Sequence, residues 1–434
     1  MVIRYSFRTA VVTMFLLAGA SVLGQENQVK QIKVTLRNPT AIARPNEPIV
    51  ITLADIAKAA PDFKATSFIV TTSDAATPAD DARAKASRPL ACQADDLDGD
   101  GKADEIAFEV DLAPLSTKVV TISYGAEELI KPLRVSFPKR AHASFQTKYE
   151  GMGWESDRVA WRMYFDARNA FDMYGKRQHC LALDYFAQPG VDYHAESPIG
   201  RDTFKIGDAL GIGSAGAYVD GKAVKISEVT DRKWKVIADG PVRAIFDLIY
   251  TGWSVAGKKV DINSRVTVWA GQHWFDHAIT ARNANGVTLI TGLPRKPGVA
   301  FSSGVALENG QARYTETWGH QALMPGATAT EAHPDQNLGL GIIVLPGAGG
   351  SADELPDAAD HIVRVPVTTM NGTITTQWRV VSAWDQEQPD GDSVLGLDPA
   401  MTLPVALRSE EGWKRYVAGV ASRYAQPVTV SVLP

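Results

Sequence analysis

The sequence predicts an all-β protein: a small N-terminal β-sandwich followed by a large antiparallel one. Three observations carry this reading. Apolar residues alternate with polar ones in short runs, Pro, Gly, Asn and Asp punctuate the gaps, and no segment shows a long apolar stripe of 3.6-residue period. The 434 residues are 45% hydrophobic and 21% charged, an ordinary globular composition with length for more than one core. The net charge of -5 is mild and no basic run is present, which argues against nucleic acid or an anionic membrane surface as partner.

Residues 1–24 read as a signal peptide. Arg4 and Arg8 supply the positive start, Thr9 to Val22 is largely apolar, and small residues precede a cut before Gln25. No other apolar run is long enough to cross a bilayer, so the mature chain is expected to be periplasmic or secreted, without stable membrane insertion. Cys92 and Cys180 are the only cysteines. An oxidising compartment would permit a disulfide, but they fall in different expected domains and are read as free buried thiols.

Residues 25–131 form the expected small sandwich. Ile32, Val34 and Leu36 alternate, Pro48 to Leu53 is a short apolar run, and Ile106, Phe108, Val110 and Leu112 alternate against acids. Val120, Ile122 and Tyr124 alternate again, and Ala79 to Ser87 reads as a loop. Asp96, Asp98, Asp100 and Asp104 stand in a Gly-punctuated loop that resembles the first half of a calcium loop. The twelfth position, where an EF-hand needs a bidentate Glu, is Ala107, and a strand pattern follows instead of a helix. The loop is therefore expected to hold a structural calcium or to be a metal-free Asp-Gly turn. No catalytic cofactor is indicated.

Residues 132–434 form the expected large sandwich. Val242 to Tyr250, Val260 to Trp269, Gly339 to Leu345, His361 to Val367 and Pro427 to Leu433 read as strands, and Asn371-Gly372 as a hairpin turn. Walker, HExxH and GxSxG patterns are absent. His273 and His277, four apart, would chelate a metal only on a helix, and hydrogen-bonded core histidines are the plainer reading.

The densest stretch of Trp, Tyr, Arg, Asp, His and Gly runs from Tyr149 to Gly213. Within it, Val159, Trp161, Met163 and Phe165 alternate with Arg158, Arg162, Tyr164 and Asp166. That period-two pattern predicts a strand with one buried face and one polar face, either solvated surface or the floor of a polar cleft. Tyr193-His194, followed by Asp202 and Lys205, brings proton-transfer groups beside cations. A cation that neutralises a uronate carboxylate acidifies the C5 proton, and a base can then remove it while the C4 oxygen leaves. Paired carboxylates among Glu150, Glu155, Asp157, Asp166, Asp172 and Asp184 would instead support hydrolysis. Trp154, Trp161, Trp253, Trp318, Trp378 and Trp384 offer rings to stack on sugars or to fill the core.

The runs Tyr149 to Arg162, Asp166 to Asn169 and Asp172 to Lys176, with Tyr193-His194, Gly200 to Asp202, Lys205 to Gly207 and Leu210 to Gly213, resemble the signature of an exported bacterial family. That family is catalogued as domain of unknown function 4861. The resemblance spans most of the mature chain. It implies association with polysaccharide utilisation, often beside pectin and uronate enzymes, and a β-supersandwich of the galactose-mutarotase or lyase kind. Family membership by itself implies no activity.

The expected function is a carbohydrate-active enzyme on uronate-containing oligosaccharides or polysaccharides, acting by β-elimination. His194 or Tyr193 is the expected base or acid, with Asp202 orienting the histidine. Arg158, Arg162, Tyr164, Lys176, Lys205 and Trp154 are expected to bind substrate. A glycoside hydrolase, a mutarotase or epimerase, and a non-catalytic glycan-binding protein are the alternatives.

Overall fold

The structure is a computed structural model that describes residues 28–72, 88–306, 312–346, 354–388 and 405–433. The expected signal peptide and the Ala79 to Ser87 loop lie outside the described residues. The chain is an all-β sandwich protein of antiparallel sheets, as the alternating patterns predict.

The N-terminal part packs a five-stranded sheet on a three-stranded one. Lys30–Arg37 pairs with Thr117–Tyr124, and Glu105–Leu112 joins Arg44–Thr52 to Cys92–Asp95. Ile32, Val34 and Leu36 on one sheet and Ile106, Phe108 and Val110 on the other fill a shared core, since period-two strands send alternate side chains to one face. The last strand, Thr429–Leu433, was expected in the large sandwich. It returns instead to the edge of this small sheet, pairing with Lys30–Arg37, where it covers open backbone groups.

The larger part holds a nine-stranded sheet and two five-stranded sheets. Trp154, Trp161, Phe171, Phe275 and Trp378 belong to one continuous buried cluster. Asn371 and Gly372 turn with φ of 50° and 75°, the left-handed pair that a tight hairpin requires.

The expected lack of a long helical stripe also fails. Glu410–Ala425 is a helix, capped by Ser409, whose side chain accepts from the Gly412 N–H. It buries Trp413, Tyr416, Val417, Val420 and Ala421, an i, i+3, i+4, i+7, i+8 stripe on one helical face. It packs on the strand Leu338–Val344 because Gly339 leaves room: a Cβ there would stand 2.5 Å from the Trp413 ring. Cys92 and Cys180 are both free and half-buried, and burial pushes the Cys92 thiol up to about 11.

Candidate active site

The five-stranded sheet that carries the site runs Gly200–Asp202, Phe171–Lys176, Ala160–Tyr164, Gly151–Ser156, Ala141–Gln146. Its register places Arg162 opposite Asp172, and Tyr174 opposite Asp202. Because side chains alternate, these four residues share one face. The edge strand Gly200–Asp202 fits closely. Gly200 has φ 139°, and a Cβ there would stand 2.0 Å from the Gly175 carbonyl oxygen, so only glycine lets the backbones approach this near.

The strand covers Ala160–Tyr164, and the apolar side of the expected alternation holds beyond it: Val159 joins the same core and Phe165 packs against it. Trp161 and Met163 enter the core while Arg162 and Tyr164 face the other way. Arg158 sits in the preceding turn, where the Ser156 hydroxyl accepts from its N–H at 3.0 Å. Its guanidinium lies with His179 at 2.9 Å and Glu387 at 3.5 Å, so it does not join Arg162 as expected.

Arg162 is the hub. Its Nε and Nη2 donate to Asp172 Oδ2 at 3.1 and 2.9 Å. Nη2 also donates to Asp202 Oδ2 at 2.8 Å and to the Tyr164 hydroxyl, and Nη1 to the Tyr193 hydroxyl at 3.4 Å. The Tyr164, Tyr174 and Tyr193 rings surround its cationic carbon at 4.4, 5.4 and 5.6 Å, a favourable setting for a delocalised cation. The Tyr164 hydroxyl donates to Asp172 at 3.1 Å. Complete burial raises Asp172 to about 7, with the charge of Asp202 adding and Arg162 opposing. Burial also pushes the Tyr164 and Tyr193 phenols up.

His194 stands beside this network. Its Nδ1 lies 3.3 Å from Asp202 Oδ2, and its ring centroid is 4.3 Å from that of Tyr193. A cavity of about 260 Å³ opens here, lined by Arg162, Tyr164, Arg168, His194, Asp202, Phe204 and Lys205 and by the segment from Leu323 to Ala329. That segment is tied down at two points: Leu323 N–H donates to the Thr203 carbonyl and Gly326 N–H to the His194 carbonyl, both at 2.9 Å.

The expected site residues therefore divide. Arg162, Tyr164, His194, Asp202 and Lys205 line one cavity, and Tyr193 stands behind His194. Lys176 lies in the interior, where its ammonium pairs with Glu155 and donates to the Ser156 and Cys180 carbonyls. Trp154 is fully buried against Phe171 and Phe275. Trp161, Trp253, Trp318, Trp378 and Trp384 are buried as well, so none of the tryptophans considered for sugar stacking presents a ring to solvent. Apolar strand faces took them, the commoner fate of such residues.

His277 lies on the strand Trp274–Arg282, with Ser264 Oγ at 2.6 Å and the Gly213 carbonyl at 3.2 Å. Burial lowers it to about 4. His273 turns to Glu387 at 2.6 Å, so the two histidines do not converge on a metal. In the acidic loop, Asp96, Asp98 and Asp104 bring ligand oxygens within 4.8 Å of one another. Asp100 stands outside that group and accepts from the Lys102 N–H.

Phe204, Arg168, Lys296 and the Leu323 to Ala329 segment belong to this region without having been singled out in the sequence. Phe204 and Arg168 lie inside stretches already singled out for their neighbours, whereas only chain folding brings Lys296 and the Leu323 to Ala329 segment near.

A protein-family profile described as "Domain of unknown function (DUF4861)" matches residues 36–430. The chain belongs to this family. The match extends over both the small sandwich and the site-bearing sheet, so the signature residues and the Arg162 hub are parts of one family unit. No curated protein matches the chain. Among solved structures, a protein in the glycosyl hydrolase family 38 from Enterococcus faecalis is similar at 9% identity and a TM-score of 0.46, covering 97% of this chain and 50% of that one. An alpha-mannosidase from Enterococcus faecalis V583 is similar at 10% identity and a TM-score of 0.41, covering 93% of this chain and 46% of that one. The chain spans about half the length of either.

Proposed function

We propose that this protein is an exported carbohydrate-active enzyme that cleaves uronate-containing oligosaccharides by β-elimination. The observation that carries the reading is the His194–Asp202 pair, 3.3 Å apart, at the wall of a cavity that Lys205 also lines. A proton on Nδ1, the nitrogen that faces Asp202, leaves Nε2 as the basic nitrogen. Nε2 takes the proton from C5, the electron pair forms the C4–C5 double bond, and the C4–oxygen bond breaks. The departing oxygen then receives the proton that His194 holds. A cation at the substrate carboxylate stabilises the charge that develops at C5.

Tyr193, expected as a catalytic partner, is better read as a positioning residue. Its hydroxyl is engaged with Arg162 and with the Lys148 carbonyl, and it does not line the cavity. Its ring packs on His194.

The test is incubation of the mature protein with pectic and other uronate oligosaccharides, followed by ultraviolet absorbance and mass together. A rising chromophore at constant summed mass supports elimination. Full activity in His194→Ala overturns the assignment. The paired-carboxylate alternative has no geometric support at this cavity, because Asp172, beside Asp202, is fully buried and does not line it. Hydrolysis adds the mass of water and makes no chromophore.

The proposal includes removal of residues 1–24 on export and a structural calcium in the acidic loop. The three converging carboxylates favour an ion, but both Asp96 oxygens already accept N–H groups of Gly99 and Gly101. Calcium would therefore complete its usual six to eight oxygens with carbonyls and water.

A further inference from the structure

A substrate carboxylate needs a cation with no anion of its own. Arg162 does not meet that need. Its Nε and Nη2 are directed at Asp172, Asp202 and Tyr164, and Asp202 balances its charge. Arg168 does not meet it either, because it donates to Asp166 at 3.0 Å and to Glu150 at 2.9 Å. Both arginines line the cavity as parts of neutralised pairs.

Two lysines remain, one lining this wall and one standing behind it against two lining residues. Lys205 lines the cavity and is exposed. Lys296, on the segment after the strand Thr288–Pro294, donates from Nζ to the Lys205 carbonyl. Its Nζ stands 4.9 Å from the ring centroid of Phe204, another lining residue. Among the described residues neither lysine forms an ion pair, so neither ammonium has a carboxylate in contact. Burial depresses the Lys296 ammonium, and the Lys205 charge depresses it further, while Asp172 and Asp360 act in the opposite direction. An arriving carboxylate would relieve both costs.

We propose that Lys205 and Lys296 form the subsite that reads the carboxylate of a uronic-acid unit in this cavity. The inference rests on the proposed function for its sugar. Its charge argument concerns binding and is independent of elimination. It replaces the arginines with a lysine pair as the determinant of acid preference. Lysine suits the role as a compact point charge that tolerates several carboxylate orientations.

The experiment is calorimetric titration with uronate-terminated disaccharides and with their carboxyl-reduced counterparts, which differ only in that charge. The wild-type protein is expected to bind the acids about tenfold or more tighter, the scale of a charge-assisted contact. Lys205→Met and Lys296→Met should each lose part of that preference, and the double variant should bind acid and reduced sugar alike. Lys205→Arg with Lys296→Arg should restore the preference, which shows that charge, not packing, is read. An acid preference that persists in the double Met variant overturns the subsite, and so does equal or undetectable binding of both sugars by the wild type. A lysine-dependent acid preference in a protein that forms no product would uphold the subsite while refuting elimination.

Discussion

Arg162 Nη2 stands 2.8 Å from Asp202 Oδ2 and 2.9 Å from Asp172 Oδ2, so one guanidinium nitrogen bridges two buried carboxylates on neighbouring strands. Removing the cation would leave two acids facing each other in the interior. Arg162→Met is therefore expected to destabilise the fold by about 3–5 kcal/mol, the usual cost of breaking a buried pair on one side. Urea unfolding followed by intrinsic fluorescence measures it. A loss within experimental error would show that the acids simply protonate at no cost.

Asp172 gives a pH signature. Its folded-state pKa of about 7 lies above the unfolded value near 3.9. Between these values the native state holds the proton and the unfolded state does not, so this group's contribution is lost as pH rises through about 7. Asp172→Asn stays uncharged, and its stability relative to wild type should rise from pH 4 to pH 7 and then level off. Denaturation curves across that range test the sign. His277, lowered to about 4, acts in the opposite sense in both proteins and cancels in the comparison.

His194→Ala should lower turnover on uronate oligosaccharides by about 10²–10⁴-fold, the range of general acid–base catalysis. The ring is partly exposed at the cavity wall, so the midpoint of thermal unfolding should change little. A matching loss of stability would instead mark a structural histidine.

Gly339→Ala tests the seat of the C-terminal helix. The added methyl would meet the Trp413 ring at 2.5 Å, and such overpacking costs about 1–3 kcal/mol. A neutral result would mean that the helix shifts freely on its sheet.

The proposed calcium in the acidic loop predicts that saturating calcium raises stability by about 2.7 kcal/mol at a hundredfold excess over Kd. Asp98→Asn with Asp104→Asn should abolish the rise. Equal melting temperatures in calcium and in chelator would leave the loop a metal-free turn.

Much of this arrangement is legible in the sequence, and the limits have physical causes. Alternation at Ile32 to Leu36 and at Ile106 to Leu112 determines strands and their buried faces, because side chains in a strand have period two. The Asn371-Gly372 turn is likewise local, since it depends on the conformational freedom of two residues. The stripe from Trp413 to Ala421 was also present in the sequence, but it is short, and Gly412 and Gly419 dilute it. His194, Asp202 and Lys205, near one another in the chain, line one cavity.

Tertiary structure decided the rest. Alternation cannot tell a polar face that meets water from one that other residues cover, so only the register that sets Arg162 opposite Asp172, with Asp202 on the next strand, shows that Arg162 is already paired. Richness in tryptophan did not reveal that these rings would fill the core. Lys296 lies more than ninety residues from Lys205 and reaches it only through the packing of separate segments. Sequence determines which chemical groups are available and which strand faces they occupy, while long-range pairing determines which charges remain for a substrate.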